Sequence, residues 1–260
     1  MTAIASHAPA TGVDALHTVD LCKNFGALQV TNKVNFRMPR GCRHALIGPN
    51  GSGKTTLINL LGGALAPTDG KIFLGDHDVT HYSADRRVVR GLTRTFQVNA
   101  LFPRLTPIEA VTMVVCQRRG TGASLWRSLR GSKDAIDEAY AILEQMHLAD
   151  DCDRPTAQLA YGRQRLLEIA LALATKPNVL LLDEPAAGVP QQQSGEILSV
   201  ISNLPDDIAV LFIEHDIDLV FRFADRITVL VAGKILCEGT PAEIAADPEV
   251  RRIYLGDSVV

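Results

Sequence analysis

No stretch of the 260-residue chain approaches the roughly 18 to 20 consecutive apolar residues that a bilayer-crossing helix needs. The most apolar segments are Leu166–Ala174, broken by Glu168, and Val179–Leu182, so any role at a membrane is played from its surface. A basic excess is also missing: 26 Lys and Arg stand against 29 Asp and Glu, a formal charge of −3, which argues against a surface that coats nucleic acid. The five cysteines, Cys22, Cys42, Cys116, Cys152 and Cys237, form no C-x-x-C pair and have no His pair at zinc-finger spacing. A disulfide framework or structural zinc is thereby disfavoured, and reduced thiols are expected. Met1–Gly12 contains no Lys or Arg and no apolar core, so it lacks the marks of a secretory signal and reads as a loose leader. What remains is an ordinary globular composition, 47% hydrophobic and 21% charged, long enough for one large domain or a core with a smaller subdomain.

Short apolar stretches without helical period between His17 and Pro39, with Lys23–Gly26 as a turn, predict an antiparallel β-subdomain. His44–Ile47 is then a short strand running into the glycine-rich Gly48–Gly53, and Lys54–Leu61 is helical up to Gly62 and Gly63. Lys71–Leu74 and Leu92–Phe96 are further strand candidates, and Pro107–Cys116 and Asp134–Met146 have helical composition. Between those helices Arg118–Lys133, rich in Gly, Ser and Arg, carries the only Trp, Trp126; it reads as an insertion, with a short docking helix as the alternative. Leu166, Ile169, Ala170 and Leu173 form an i, i+3, i+4, i+7 stripe that predicts a helix over Gly162–Thr175, ending before Pro177. Val179–Leu182 and Ile208–Ile213 are continuous apolar runs of strand length, the pattern of a parallel sheet covered on both faces. Strands alternating with helices predict an α/β layer fold with a mostly parallel core sheet. There is no internal repeat and no second phosphate motif, so a paired site has to come from another chain.

Gly48-Pro49-Asn50-Gly51-Ser52-Gly53-Lys54-Thr55 fits G-x-x-x-x-G-K-[ST] and lies after a predicted strand and before a predicted helix. That context is what a phosphate-cradling loop requires. Glycine lets backbone N–H groups approach phosphate oxygens, Lys54 adds a charge at the β/γ oxygens, and Thr55 offers a hydroxyl to Mg²⁺, with Thr56 following in the same turn. The helix start adds its positive dipole end. Asp183 and Glu184 close the run Val179–Leu182 and so stand at the carboxyl end of a buried strand, where open α/β sheets bind ligands. Asp183 is the expected Mg²⁺ partner and Glu184 the expected base or water-positioning group for attack on the γ-phosphate. His215, after the next apolar strand, is placed by strand adjacency to donate to the γ-phosphate. Alone it would read as an ordinary loop residue.

The ordered set of phosphate loop, Gln97, Leu159-Ala160-Tyr161-Gly162-Arg163-Gln164, Leu182-Asp183-Glu184-Pro185 and His215 resembles the ATP-binding subunit of an ABC transporter, from about residue 16 to 256. The resemblance implies a P-loop NTPase cassette with a helical subdomain at about 98–165, a leader at 1–15 and a tail at 257–260. It implies Mg²⁺-ATP as ligand and two cassettes facing head to tail, each ATP held between one phosphate loop and the other chain's Ala160, Tyr161, Gly162, Arg163 and Gln164. It implies further that Gln97 contacts Mg²⁺ and water, and that Phe25 stacks on adenine, a strand-core role for Phe25 being the alternative. Thr93-Arg94-Thr95-Phe96-Gln97, Leu101-Phe102-Pro103, Asp183 to Gly188, Ile213-Glu214-His215-Asp216 and Gly239-Thr240-Pro241 to Tyr254-Leu255-Gly256 resemble cassettes of importers for branched-chain amino acids, hydrophobic amino acids or urea. Cassettes of lipopolysaccharide exporters and soluble non-transport ABC ATPases are the alternatives. The implied partners are two transmembrane permease subunits, docked near Gln97–Glu109, with Phe102, Arg104 and Leu105 as contacts unless Leu101 and Leu105 simply fill the core. A second cassette and, indirectly, a substrate-binding protein complete the complex at the cytoplasmic face of the membrane, with no nucleic acid. Two departures stand out: Ala160 where the signature normally carries serine, and Pro190 where many members have Asp or Asn. Both lie on the partner-facing edge and favour pairing with a different cassette over a homodimer.

Overall fold

The structure, a computed structural model, describes residues 14–95, 101–120 and 133–255. Positions 1–13 of the leader, Gln97, Trp126 and the tail after 255 lie outside the described residues; Asp14 and Ala15, expected in the leader, instead begin the first strand, with Ala15 in the core.

The first sheet is antiparallel. β1 (Asp14–Phe25) is flanked by β2 (Leu28–Val34) and β5 (Asp69–Leu74), with β3 (Arg37–Pro39) against its start and β6 (His77–Asp78) beyond β5. The expected turn at Lys23–Gly26 falls later: Lys23, Asn24 and Phe25 pair with Thr31, Gln29 and Leu28, and only Gly26–Ala27 turns. Gly26 carries the positive φ of 60° that the reversal needs.

The second sheet runs β11 (Lys234–Gly239), β10 (Arg226–Val231), β4 (Arg43–Ile47), β9 (Ala209–Ile213), β8 (Val179–Asp183), β7 (Leu92–Arg94), all parallel except the β10–β11 hairpin. β9 throughout and β8 up to Leu182 are continuously apolar because both faces are covered, and all five residues of β4 are buried, Arg43 and His44 among them. Ala45, Ile47, Leu180, Leu182, Val210 and Phe212 face one core. It is closed by α3 (Pro107–Arg118), α4 (Lys133–Gln145), α5 (Tyr161–Leu173) and α6 (Gln191–Ser202). The alternate residues Leu46, Val179, Leu181, Ala209, Leu211 and Ile213 face a second core built with β1 and α1 (Lys54–Gly62). The helix start predicted at Pro107 follows from a complete capping box. Thr106 Oγ1 accepts from Glu109 N, and Glu109 Oε2 accepts from Thr106 N, with Pro107 in the first turn.

Arg87 and His44 are among the buried ionisable groups that the sequence does not single out. Arg87, on α2 (Ala84–Val89), is almost fully buried and donates to the carbonyls of Leu60 and Leu61 at 2.6 and 2.5 Å and to those of Thr80 and Tyr82 at 3.1 Å each. It thus satisfies the open carbonyl end of α1 with a cation, as the helix dipole favours, while burial pushes its guanidinium down to about 10. His44, on β4, is fully buried, pairs through Nε2 with Thr228 Oγ1 at 2.7 Å and lies beside Phe36. Burial, with Arg226 adding, pushes its imidazole down to about 3 from 6.5.

The unfolded chain therefore takes up a proton on His44 near pH 6.5 that the native chain refuses until about pH 3. Stability from this group is intact above pH 6.5 and declines by about 1.4 kcal/mol per pH unit below it. Denaturant melts at pH 7 and pH 5 should show the parent losing about 2 kcal/mol more than His44→Gln; equal losses would remove His44 as the cause.

Candidate functional site

The site is built by register. Leu46 of β4 and Asp183 of β8 both stand opposite Ile213 of β9, so the three strands end level at their carboxyl edges. The residues that follow are Gly48–Gly53, Glu184, and Glu214 with His215. Adjacent strands thus bring together segments more than 130 positions apart in the chain, and Glu184 and His215 line one cleft with the phosphate loop, whereas Asp183 does not line it.

Within the phosphate loop Gly48 and Gly53 are packed too tightly for a side chain, whereas Gly51 faces open space. A Cβ on Gly48 would lie 2.1 Å from the Leu230 carbonyl, and one on Gly53, at φ 103°, would lie 2.8 Å from that of Val30. Ser52 N donates to Pro49 O at 3.2 Å, and Gly233 N, from the β10–β11 turn, donates to Ser52 O at 2.9 Å. Lys54 bends back over the loop, Nζ donating to Gly48 O at 2.8 Å and Pro49 O at 3.1 Å. Burial lowers its pKa, opposed by Glu184 and then Asp183, so the ammonium is a desolvated charge with two carboxylates nearby. α1 opens at Lys54 with no side-chain cap and no acid in its first turn, which leaves its first N–H groups available to an anion. Ser52 Oγ is buried without a protein partner. Asn50 to Thr56 line one open cleft together with Val30, Glu184 and His215.

Across that cleft His215 Nε2 pairs with Glu184 Oε1 at 2.6 Å. Glu184 holds a positive φ of 51°, uncommon for a residue with a Cβ, and its N–H donates to Ile213 O at 3.1 Å. Asp183 keeps to the other side, its Oδ2 accepting from Arg94 Nη2 at 2.8 Å. The oxygen donors available to a cation are the Thr55 hydroxyl and the carboxylates of Asp183 and Glu184, a hard set of the kind Mg²⁺ takes with phosphate and water completing its shell.

The signature segment does not line this cleft. Ala160 is the N-cap of α5 and supplies no side-chain hydrogen bond, so that helix start is also open. Tyr161 is exposed and its ring lies over Gly188. Arg163 and Gln164 are engaged inside the chain: Arg163 donates to His147 O at 2.5 Å, and Gln164 to Thr156 O and Leu159 O at 3.2 and 3.1 Å. The helix begins at Tyr161, one residue before the expected Gly162. Pro190 is the N-cap of α6, again without a capping side chain. Phe25 is exposed at the end of β1 with Lys23 Nζ 5.2 Å from its ring centre, which rules out the strand-core alternative. Leu101 packs partly against the core, whereas Phe102 is 62% exposed.

The family model for ABC transporters matches residues 31–187, more than half of the chain. The chain belongs to the ATP-binding cassettes of ABC transporters. A second model, the branched-chain amino acid ATP-binding cassette transporter, matches residues 234–260 of the cassette. Among curated relatives, the high-affinity branched-chain amino acid transport ATP-binding protein LivG of Escherichia coli K12 is 38% identical over 247 residues, 92% of this chain and 96% of its own. BraF of Pseudomonas aeruginosa, of the same description, is 35% identical over 252 residues, 94% of this chain and 98% of its own. Among solved structures, the ADP conformation of an ATP-binding cassette of an ABC transporter superposes with a TM-score of 0.82 at 30% identity, covering 95% of this chain and all of that one. A dimeric post-hydrolysis cassette bound to ADP and Pi gives 0.70 at 25% identity, covering 87% and 98%. The cassette is thus an ATPase of an ABC transporter complex, and none of its described helices is long and apolar enough to cross a membrane.

Sequence reasoning missed the support behind the site. Glu214 is 6% exposed and accepts from Ala186 N at 2.9 Å and His215 N at 3.3 Å, tying the loop after β8 to the loop after β9. Burial raises its pKa, with those two N–H groups opposing. Tyr254, on the last described helix, Pro248–Leu255, packs against the core beside the Gly48 backbone, and burial pushes its phenol up to about 12. Neither contact has a local sequence signal beyond the motif neighbours.

Glu214→Ala should leave two backbone donors unpaired and lower stability by about 1–3 kcal/mol, while Glu214→Gln, which keeps an acceptor, should lose less than half of that. Denaturant midpoints check the pair, and equal losses would mean that packing rather than hydrogen bonding matters there.

Proposed function

We propose that this cassette energises uptake of branched-chain or other hydrophobic amino acids by ATP-driven closure of a cassette dimer. It works from the cytoplasmic face of the membrane with two permease subunits, a second cassette and, upstream of them, a substrate-binding protein. The observation that carries this reading is the combination, in one chain, of a cleft that joins the phosphate loop to Glu184 and His215 with a carboxyl-terminal segment of the branched-chain amino acid type. The whole-length similarity to LivG and BraF supports it. The cassette proper is taken as residues 16–256, with its helical subdomain at about 98–165.

In this reading Gly48–Thr56 holds the phosphates, and Lys54 neutralises the β/γ oxygens. The Thr55 hydroxyl and Asp183, with Gln97, would hold Mg²⁺, which supplies charge neutralisation of the phosphate chain when bound. Glu184 takes the proton of the attacking water. One of its oxygens is engaged by His215, so the other is left to face the water, and His215 fixes the carboxylate's direction. Phe25, exposed beside the cleft-lining strand β2, is the adenine platform. The open start of α5 meets the γ-phosphate of the facing cassette, through Ala160, Tyr161 and Gly162 rather than the internally bonded Arg163 and Gln164 side chains. The uncapped Ala160 and Pro190 both weaken that partner edge, which favours a heterodimer with one stronger and one weaker composite site.

Affinity purification of the tagged chain from gently solubilised membranes should recover two multi-span proteins and a second cassette by mass spectrometry, and deletion of the chain should abolish uptake of radiolabelled leucine. Recovery of soluble partners alone, with leucine uptake unchanged, would contradict the transport assignment. Glu184→Gln should slow single-turnover hydrolysis by at least about a hundredfold with ATP affinity retained; equal rates would take Glu184 out of the catalytic role. Restoring a hydroxyl with Ala160→Ser should tighten ATP-dependent dimer capture by about tenfold to a hundredfold, read by light scattering of the Glu184→Gln chain with its partner.

A further inference from the structure

Arg94 is the last residue of β7, and its guanidinium joins three elements. Nη2 donates to Asp183 Oδ2 at 2.8 Å at the end of β8, and Nη1 donates to Asn59 Oδ1 in the middle of α1. The pair is partly buried, the two side chains being 20% and 15% exposed. Gly62, one turn further along α1, leaves the space in which the stem lies: a Cβ there would stand 3.3 Å from Arg94 Cδ. On the strand side, Arg94 stands opposite Leu181 in the β7–β8 ladder, and Thr95 N donates to Leu181 O at 3.0 Å. The guanidinium is therefore fixed at both ends rather than free to swing, and it engages Asp183 through one oxygen only.

We propose that Arg94 is a positioning residue for Asp183. It fixes the carboxylate through Oδ2, so that the second oxygen is presented in a single orientation toward a divalent cation bound with the nucleotide. Asn59 holds the other limb of the guanidinium and so makes the same α1 that begins at the phosphate loop the reference for that orientation. The proposal rests on the reading of Asp183 as a cation-binding carboxylate.

Coulomb's law alone makes the opposite prediction. A guanidinium beside a metal site repels the metal, so removing a bystander arginine tightens cation binding, whereas removing a positioning one loosens it. The probe is Mn²⁺ titrated into the full-length chain loaded with ADP and followed by the electron paramagnetic resonance signal of free Mn²⁺, alongside ADP affinity measured in EDTA. Arg94→Ala should weaken Mn²⁺ binding about tenfold with metal-free ADP affinity unchanged, and Arg94→Lys, which reaches Asp183 but cannot also hold Asn59, should recover part of it. Asn59→Ala, which keeps the ion pair and remains usable should Arg94→Ala fail to fold, should show a smaller loss in the same direction. In an Asp183→Asn background Arg94→Ala should have no further effect. Mn²⁺ binding that is unchanged or tighter in Arg94→Ala and Asn59→Ala, while Asp183→Asn weakens it, would overturn the proposal alone. Unchanged Mn²⁺ binding in Asp183→Asn would overturn the metal role of Asp183 and this proposal with it.

Discussion

The level ending of β4, β9 and β8 is the constraint on which the rest of the cassette depends. Ile213 sits between Leu46 and Asp183 in the ladder, and a shift of one residue in any of these strands would exchange its core faces, since alternate residues belong to different hydrophobic clusters. Packing on both sides of the sheet therefore fixes the register, and the register fixes the distance between the phosphate loop, the carboxylates and His215. In the cleft Glu184 and His215 are half exposed while Lys54 and Ser52 are buried; all four lie in segments that follow buried strands, which set their placement.

Charged groups within the body of the fold reinforce that placement from behind. Arg87 holds the far end of α1 through the carbonyls of Leu60 and Leu61 and ties it to those of Thr80 and Tyr82, Glu214 joins the two loops that carry Glu184 and His215, and Arg94 joins β7, β8 and α1. Each has at least one partner contributed by a remote segment, which ties together from behind the elements that carry the nucleotide cleft. The partner-facing edge is built differently. α5 and α6 start at Ala160 and Pro190 with no side chain to cap them, so their N–H groups are left to water or to a ligand arriving with another chain. The asymmetry fits a cassette that binds nucleotide firmly in cis and depends on its partner in trans.

Much of this was legible in the sequence, and the reason differs from element to element. The phosphate loop announces itself because phosphate binding demands glycine and lysine at fixed spacing, and β8 and β9 show as unbroken apolar runs because both faces are buried. α3 and α5 were readable from Pro107 and from the Leu166–Leu173 stripe. The first hairpin was misplaced because β1 runs through the polar Lys23 and Asn24 to Phe25: an exposed strand end has no burial pattern to mark it. Arg87 carries no local signal, and Arg94 and Glu214, although they stand inside recognisable motifs, show nothing there of their supporting role, since the partners that tie each of the three to another element lie 26 or more positions away in the chain. His44 likewise looks like any strand residue until its full burial is seen.

The central claim is that these strand ends form one Mg²⁺-ATP site, and the most direct test is a crystal structure of the full-length chain with Mg²⁺ and a non-hydrolysable ATP analogue. The account predicts the phosphates against the backbone N–H groups of Gly51 to Thr55, the metal within the reach of Thr55 and the water shell of Asp183, and the γ-phosphate facing Glu184 and His215. A nucleotide bound elsewhere, or a metal held without Thr55 and Asp183, would contradict it.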